Sequence, residues 1–393
     1  MKRKLVLEDG LVLEGEGFGS EEDKKLELVF NTSMVGYQEI LSDPSYTDQA
    51  VVMTYPLIGN YGMCDDDYET DVPSIGGFVV REYCDEPSNF RCAGTLSEVM
   101  KRYGIVGIAG VDTRRLTRHI RDFGSCKCAF VSDGADTDKV VEELKGWEVP
   151  RDAVSRVSTK NIYEYVSDGV EKAGTGNAAA VGCGATEKPD GASKATENDS
   201  ERWHVVAIDC GMKKNILREM YRKGCRITVV PWNTTAQDIK ELQPDGIFIS
   251  NGPGDPTDVK ETIESVKALV GFRPIFGICL GHQIISLAYG ARTYKLKFGH
   301  RGGNHPVRNR ATGKIEITSQ NHSYAVDVRS LGITRLTATH MNILDNTVEG
   351  VKCSEDMVMG IQYHPESAPG PEDSGALFDQ FINLMKEWRE DHA

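Results

Sequence analysis

One cysteine of this 393-residue chain stands where a strand is expected to turn sharply into a helix. Cys279 lies at the centre of Gly277-Ile-Cys-Leu-Gly281, after an apolar run and before a helical pattern over His282–Tyr289. A lone cysteine in apolar surroundings is often just a buried small side chain. The flanking glycines favour another interpretation, since a strained turn that presents a nucleophile leaves no room for a neighbouring Cβ. The helix N-terminus also favours a thiolate, so we predict that Cys279 is a nucleophile.

A base and an orienting carboxylate follow far downstream. His364 and Glu366 are two positions apart, so in an extended segment their side chains lie on the same face. By itself, His364 would be a surface histidine and Glu366 a solvated charge. Together with Cys279 they form a nucleophile, base and orienter set, which supports acyl transfer or amide hydrolysis. The set leaves the substrate open.

The oxyanion that a thiolate attack creates needs preorganised hydrogen-bond donors. The backbone N–H of Leu280, one residue after Cys279, is one candidate. The loop Gly252-Pro-Gly254 offers another, because glycine lets the backbone approach closely, although Pro253 has no N–H to donate.

No nucleotide or metal site is recognisable in the sequence. Asn251-Gly-Pro-Gly-Asp-Pro256 lacks the Gly-Lys-Ser/Thr ending of a phosphate-binding loop, and Gly299-His-Arg-Gly-Gly303 lacks the spacing of a dinucleotide-binding motif. The ten cysteines are not spaced as zinc ligands, and most of them are expected to be reduced thiols. We therefore predict no cofactor and no metal in this chain, and any ATP that the reaction uses must be bound by another polypeptide.

Composition narrows the class of protein. The net charge of −14 argues against general binding of nucleic acid or of anionic membranes. No stretch approaches the roughly 20 apolar residues of a transmembrane helix. The basic N-terminal residues are followed too soon by Glu8-Asp9-Gly10 for an export signal, so we expect a cytoplasmic protein.

The chain divides into two unequal patterns. Residues 203–393 alternate strand-like and helix-like segments, which predicts an α/β domain with a doubly wound, mostly parallel sheet. Ligands gather at the strand C-termini of such a sheet, where Cys279 and the loop after Ser250 fall. Residues 1–166 predict a smaller, mixed α+β domain. Residues 167–202 are poor in apolar side chains, and we interpret them as a flexible linker or insertion.

Several segments resemble known enzymes. Phe276-Gly-Ile-Cys-Leu-Gly-His-Gln283, together with His364-Pro-Glu366, is similar to the class I, or triad, glutamine amidotransferases. Further segments resemble the small, glutamine-hydrolysing chains of carbamoyl phosphate synthetases, namely Asn31–Met34, Asp43–Tyr46, Ser250–Pro256 and Phe298–Pro306. The resemblance covers nearly the whole chain apart from the linker region.

The resemblance implies a fold, a reaction and a partner. It implies the class I amidotransferase fold for residues 203–393, with glutamine attacked by Cys279 and with His364 and Glu366 completing the triad. Ammonia leaves, and water hydrolyses the γ-glutamyl thioester to glutamate. A separate large synthetase chain, which the N-terminal domain is implied to contact, uses the ammonia, bicarbonate, ATP and magnesium to make carbamoyl phosphate for arginine and pyrimidine biosynthesis.

The resemblance also implies which residues contact glutamine. Carried over position by position, they are Ser45, Gly252, Gly254, Leu280, Gln283, Asn321, Ser323 and Tyr324. The pair Ser323-Tyr324 stands where some members have Gly-Phe, a change that contacts through backbone groups would tolerate.

Three rival interpretations stay open. A glutaminase component of another amidotransferase, such as one for anthranilate or guanylate synthesis, would share the triad but lack the N-terminal domain. A non-catalytic regulatory subunit would not need an intact Cys279. A free-standing γ-glutamyl hydrolase or peptidase would work without a partner chain.

Overall fold

The structure of the chain, a computed structural model, describes residues 1–166, 202–371 and 374–392. The linker predicted at 167–202 lies outside the described residues except for Arg202. Nine strands lie in the N-terminal part: β1 (Lys2–Leu7), β2 (Val12–Gly19), β3 (Lys24–Asn31), β4 (Gln49–Met53), β5 (Leu57–Ile58), β6 (Gly77–Val79), β7 (Glu82–Tyr83), β8 (Val106–Ala109) and β9 (Cys126–Ser132).

Seven of these strands close into a barrel in the order β1-β2-β8-β6-β4-β3-β9, while β5 pairs with β7 outside it. Side chains alternate in direction along a strand, so Leu26 and Leu28 of β3 pack into one core with Val52 and Ile108, whereas Val29 packs into another. Five helices accompany the barrel strands: α1 (Tyr37–Ser42), α2 (Leu96–Arg102), α3 (Thr113–Phe123), α4 (Thr137–Gly146) and α5 (Ala153–Val157). Helices and strands are mixed in this part, as the sequence predicts.

A second sheet contains ten strands. They are β10 (Tyr163–Tyr165), β11 (Trp203–Asp209), β12 (Cys225–Pro231), β13 (Gly246–Ile249), β14 (Ile275–Ile278), β15 (Thr293–Asn309), β16 (Ile315–Val326), β17 (Thr337–Asn342), β18 (Val348–Cys353) and β19 (Val358–Ile361).

The predicted parallel arrangement describes half of this sheet. Strands β12, β11, β13, β14 and β19 are neighbours in that order and run parallel. The other five strands pair antiparallel, with β10 at one edge and β18, β16, β15 and β17 extending the other. They lack the crossover helices that parallel neighbours require. Because β10 joins this sheet, the segment before residue 166 contributes to both parts, and the proposed domain boundaries stay a prediction.

Helices cover both faces of the parallel half. They are α6 (Lys214–Arg222), α7 (Ala236–Glu241), α8 (Lys260–Leu269), α9 (Leu280–Ala288) and α10 (Ala376–Asp391). Apolar residues of α7, α8 and α9 pack into one core, and those of α6 and α10 pack into the core on the other face. This two-sided cover buries the parallel strands on both faces.

The carboxyl ends of the parallel strands meet at one edge, which is where such sheets bind ligands. Asn251, Cys279 and His364 all follow strands that end there, after β13, β14 and β19 respectively. Within the described residues, no helix is long and apolar enough to cross a membrane. The nine cysteines of those residues are all free.

Candidate active site

The turn that carries Cys279 is strained in the way a nucleophile turn requires. Cys279 has φ 53° and ψ −104° between β14 and α9, and its side chain is buried. A Cβ on Gly281 would lie 2.2 Å from the Ile249 carbonyl oxygen, and one on Gly277 would lie 2.6 Å from the Gly281 carbonyl carbon. Only glycine fits at these two positions, which explains the predicted spacing.

His364 and Glu366 form a buried pair next to the thiol. The imidazole Nδ1 donates to Glu366 Oε1 over 2.6 Å, because a carboxylate can only accept. The other ring nitrogen, Nε2, has no hydrogen-bond partner within the described chain. It is therefore the ring atom that can exchange a proton with Cys279, whose sulfur lies 3.6 Å from the Asn321 carbonyl oxygen.

The charges of this pair stabilise each other. Burial lowers the pKa of His364, but the Glu366 carboxylate and the Cys279 thiol outweigh burial and raise that pKa to about 10. Burial raises the pKa of Glu366, but Lys213 and His364 outweigh burial and hold it at about 2. Glu366 is therefore ionised at neutral pH and favours the imidazolium that proton transfer from Cys279 creates.

Lys213 is a site residue that the sequence interpretation missed. Its ammonium donates to Glu366 Oε1 over 3.0 Å and to the Ser367 carbonyl oxygen over 2.7 Å, and the side chain is only 3% exposed. Asn215 Nδ2 donates to the backbone oxygen of Glu366. Lys213 and Glu366 lie about 150 positions apart in the sequence, so no local motif could link them. The sequence feature that could have identified Lys213 is its position just after β11, at the carboxyl edge of the sheet.

A cavity of about 280 Å³ opens onto Cys279 between the barrel and the sheet. Seven of the eight residues predicted to contact glutamine line it: Ser45, Gly252, Gly254, Gln283, Asn321, Ser323 and Tyr324. Leu280 is not part of the lining; a Cβ on Gly252 would lie 2.8 Å from its Cδ2, so its side chain packs against that loop. Leu280 can serve the site only through its backbone.

Two hydrogen bonds between the barrel part and the sheet part fix the cavity wall. Asn251 Nδ2 donates to Ser45 Oγ over 3.1 Å, and Asn321 Nδ2 donates to Asp43 Oδ2 over 2.9 Å. Asp43 also accepts from the Ser45 backbone N–H over 2.9 Å, which caps the 3₁₀ turn Pro44–Tyr46. The N-terminal part therefore supplies one wall of the site.

Further polar residues of the wall are held by their own partners. Gln283 Nε2 donates to the Tyr324 carbonyl oxygen over 2.8 Å and to Gln362 Oε1 over 2.9 Å. Arg301, a buried residue absent from the prediction, donates to Ser323 Oγ. Ser323 does not have a positive φ, so serine is accommodated there without backbone strain.

One cluster of metal-ligating side chains occurs in the described part of the chain. Atoms of His300, His322 and Glu349 lie within 4.8 Å of one another. His300 Nδ1 and His322 Nε2 both lie within 3.0 Å of Gln320 Oε1, and His300 Nε2 lies 2.8 Å from Asp345. These contacts tie together β15 and β16, the strand that carries Asn321. The expectation that the chain holds no metal stays a prediction.

Comparisons with known proteins match both the barrel part and the sheet part of the chain. A family model described as carbamoyl-phosphate synthase small chain, CPSase domain, matches residues 5–130, and one described as glutamine amidotransferase class-I matches residues 206–384. The carbamoyl phosphate synthase small chain of Fusobacterium nucleatum subsp. nucleatum is 50% identical over 380 residues, 97% of each chain. The chain belongs to the carbamoyl phosphate synthase small-chain family. The pyrimidine-specific small chain of Bacillus subtilis is 48% identical over 386 residues, 98% of this chain and 96% of the relative.

Among solved structures, a candidate GMP synthase component from Thermoplasma acidophilum is 20% identical and covers 49% of this small chain and 98% of its own length, with a TM-score of 0.43. The two family models together span both the barrel and most of the sheet. This chain therefore has the N-terminal domain of its family, which glutaminase components of other amidotransferases were expected to lack.

Gly281→Ala should damage the nucleophile turn. The new Cβ would meet the Ile249 carbonyl oxygen at 2.2 Å, so β13 or α9 must shift, at a cost of about 1–3 kcal/mol in the free energy of unfolding. Glutamine hydrolysis should fall more steeply, because the shift moves Cys279. Gly332→Ala is the matched control, since its Cβ would meet nothing within 4 Å. Denaturant unfolding and turnover of the two variants should differ; equal values would show that the turn tolerates a Cβ at Gly281.

Lys213→Met should leave the Glu366 charge undercompensated. In the native chain the pKa of Glu366 is depressed from 4.5 to about 2, so the stability from its ionisation is present above pH 4.5 and lost only as the pH falls toward 2. The substitution raises this pKa, so the loss begins at higher pH. Removing one partner of a buried ion pair costs about 3–5 kcal/mol.

The measurement is guanidinium chloride unfolding of Lys213→Met across the acid range. Lys214→Met is the matched control, because the Lys214 ammonium pairs with the exposed Asp71 and such surface pairs contribute about 0–1 kcal/mol. If both variants lose the same free energy of unfolding at neutral pH, Lys213 does not compensate Glu366.

Proposed function

We propose that this chain is the glutaminase subunit of a carbamoyl phosphate synthase. It hydrolyses glutamine to glutamate and ammonia and delivers the ammonia to a large synthetase chain, which makes carbamoyl phosphate from bicarbonate and ATP. The observation that carries the proposal is the buried Cys279–His364–Glu366 set, which opens into a cavity walled jointly by the barrel and the sheet. Membership of the small-chain family over the full length supports the same substrate and partner.

The first half-reaction forms a thioester. Cys279 transfers its proton to His364 Nε2, and the sulfur attacks the γ-carboxamide carbon of glutamine. The carbonyl π electrons move to oxygen, giving a tetrahedral oxyanion. When the oxyanion collapses, the C–N bond breaks and the imidazolium of His364 gives its proton to the departing nitrogen, which leaves as ammonia. Glu366 stays ionised throughout and holds the ring in place.

The second half-reaction returns the free enzyme. His364, now neutral, takes a proton from water, and the hydroxide attacks the thioester carbon. Collapse of the second tetrahedral intermediate breaks the C–S bond, releasing glutamate. The thiolate of Cys279 recovers its proton from His364. The backbone N–H of Leu280 would stabilise both oxyanions, since the first N–H groups of α9 have no intrahelical partner.

The side chains that line the cavity would bind the rest of glutamine. Gln283 and Asn321 are held rigidly by their hydrogen bonds, so they can fix the substrate with little loss of entropy. Gly252 and Gly254, which line the cavity, would let backbone groups approach the amino acid end of the substrate. Ser45 would contact the substrate from the barrel side.

The chemistry proposed for this chain uses neither ATP nor magnesium, and both would be bound by the large chain. The N-terminal barrel part would provide contacts to that chain. The name of the Bacillus subtilis relative supports a role in pyrimidine synthesis, and we extend the proposal to arginine synthesis and to the cytoplasm. A non-catalytic regulatory role is disfavoured, since such a subunit would not need the strained turn or the ion-paired triad.

Cys279→Ala should separate the two activities of the complex. Without the sulfur no thioester forms, so glutamine-dependent carbamoyl phosphate synthesis should fall by about 10⁴-fold or more. Synthesis from added ammonium salt should persist, because the large chain does that chemistry. Cys84→Ala, at a partly exposed thiol of the barrel part, is the control and should keep both activities.

The assay is carbamoyl phosphate formation by this chain mixed with its large chain, with glutamine or with ammonium chloride as nitrogen source. Loss of both activities in Cys279→Ala would contradict the assigned division of labour. Fast glutamine hydrolysis by the isolated wild-type chain, unchanged by the large chain with ATP and bicarbonate, would instead favour a free-standing hydrolase.

A further inference from the structure

Helix α6 begins without a cap of its own. The N-cap position is occupied by Lys213, whose side chain makes no hydrogen bond to the helix, and the first turn contains no acidic residue. The first N–H groups of a helix need acceptors from elsewhere, and the N-terminal end favours a negative charge. A buried helix start with a lysine at the cap therefore requires an outside partner.

That partner is Glu69, which lies between α1 and β6 in the barrel part. Its backbone oxygen accepts from the Lys214 N–H over 2.9 Å, and its Oε2 accepts from the Asn215 N–H over 3.2 Å. Glu69 is 2% exposed, and its own N–H donates to Ser42 Oγ over 2.9 Å. The cap is thus anchored in one part of the chain while the helix belongs to the other.

The capped turn is also the turn that holds the triad. Lys213, at its start, places its ammonium 3.0 Å from Glu366 Oε1, and Asn215 donates to the Glu366 backbone oxygen. The Lys213 N–H donates to Asn251 Oδ1 over 3.2 Å, and Asn251 in turn donates to Ser45 in the cavity wall. Every one of these contacts depends on where the first turn of α6 lies.

We propose that Glu69 is a positioning residue for glutamine hydrolysis: it caps α6 across the boundary between the barrel and the sheet and so fixes Lys213 and Asn215 against Glu366. The inference rests on the proposed function. It gives the N-terminal part a second task beside partner contact, because the class I domain by itself would start α6 uncapped. Glu69 touches neither Cys279 nor the cavity, so its effect on the thiol passes through α6, Lys213 and Glu366.

The test compares three variants in the full chain. Glu69→Ala removes the side-chain cap, whereas Glu69→Gln keeps an acceptor oxygen for the Asn215 N–H and removes the charge. Asp71→Asn is the matched control, since Asp71 also contacts α6 from the barrel part, but only through the side chain of Lys214 at the surface. Thermal unfolding shows whether each variant is folded. If Glu69→Ala does not fold, the comparison of Glu69→Gln with Asp71→Asn provides the test.

Two readouts distinguish positioning from a purely structural role. In Glu69→Ala, kcat for glutamine should fall at least about tenfold with KM nearly unchanged, as expected when a catalytic group is displaced. The second readout is the rate of Cys279 alkylation by iodoacetamide as a function of pH, measured by peptide mass spectrometry. In Glu69→Ala the rise of this rate should shift to higher pH, because a displaced Glu366 stabilises the imidazolium of His364 less. Glu69→Gln should show smaller changes in the same directions, and Asp71→Asn should match the wild type.

Unchanged kcat and an unchanged alkylation profile in a folded Glu69→Ala chain would overturn the proposal. A rise in KM alone would overturn it as well, since that places Glu69 in substrate binding. Alkylation needs neither glutamine nor the large chain. If the wild-type chain hydrolysed no glutamine while the alkylation profile still shifted in Glu69→Ala, the capping role would stand and the proposed function would fail.

Discussion

The site depends on a carboxylate that is almost completely removed from water. Glu366 is 3% exposed, and a charge in that position costs several kcal/mol unless cations and donors surround it. Lys213 and His364 compensate it from two sides. The stabilisation is mutual. Lys213 and His364 stabilise the Glu366 carboxylate, and the same carboxylate orients His364 and favours its charged form. The reactivity of Cys279 therefore follows from how one buried acid is held.

The second constraint is mechanical. A cysteine with positive φ persists only where the surrounding structure fixes it, and here the parallel strands below and α9 above do so. Gly277 and Gly281 let the turn pack against its neighbours at distances that any Cβ would prevent. Strain at Cys279 reduces stability, and the extensive cores on the two faces of the sheet offset it.

Local patterns predicted the local parts of this molecule. The nucleophile turn could be inferred because its requirements fall within five consecutive residues, and the parallel strands because each is followed by a helix. The barrel closure and the antiparallel half of the sheet could not be inferred, since they depend on pairing between strands far apart in sequence, such as β1 with β9. The roles of Lys213 and Glu69 could not be predicted for the same reason, since each contacts a residue more than 100 positions away in the sequence. The resemblance supplied the substrate, which the spacing of the triad left open.

We expect Cys279, activated by the buried His364–Glu366 pair, to form a covalent bond to the γ-carbonyl carbon of glutamine. Acid quenching of the wild-type chain during turnover with carbon-14-labelled glutamine, followed by digestion and separation of the peptides, detects this bond. We expect label on the peptide containing Cys279, released by hydroxylamine as a thioester would be and absent in Cys279→Ala. Production of glutamate with no label on that peptide, or with label on another residue, would contradict the claim.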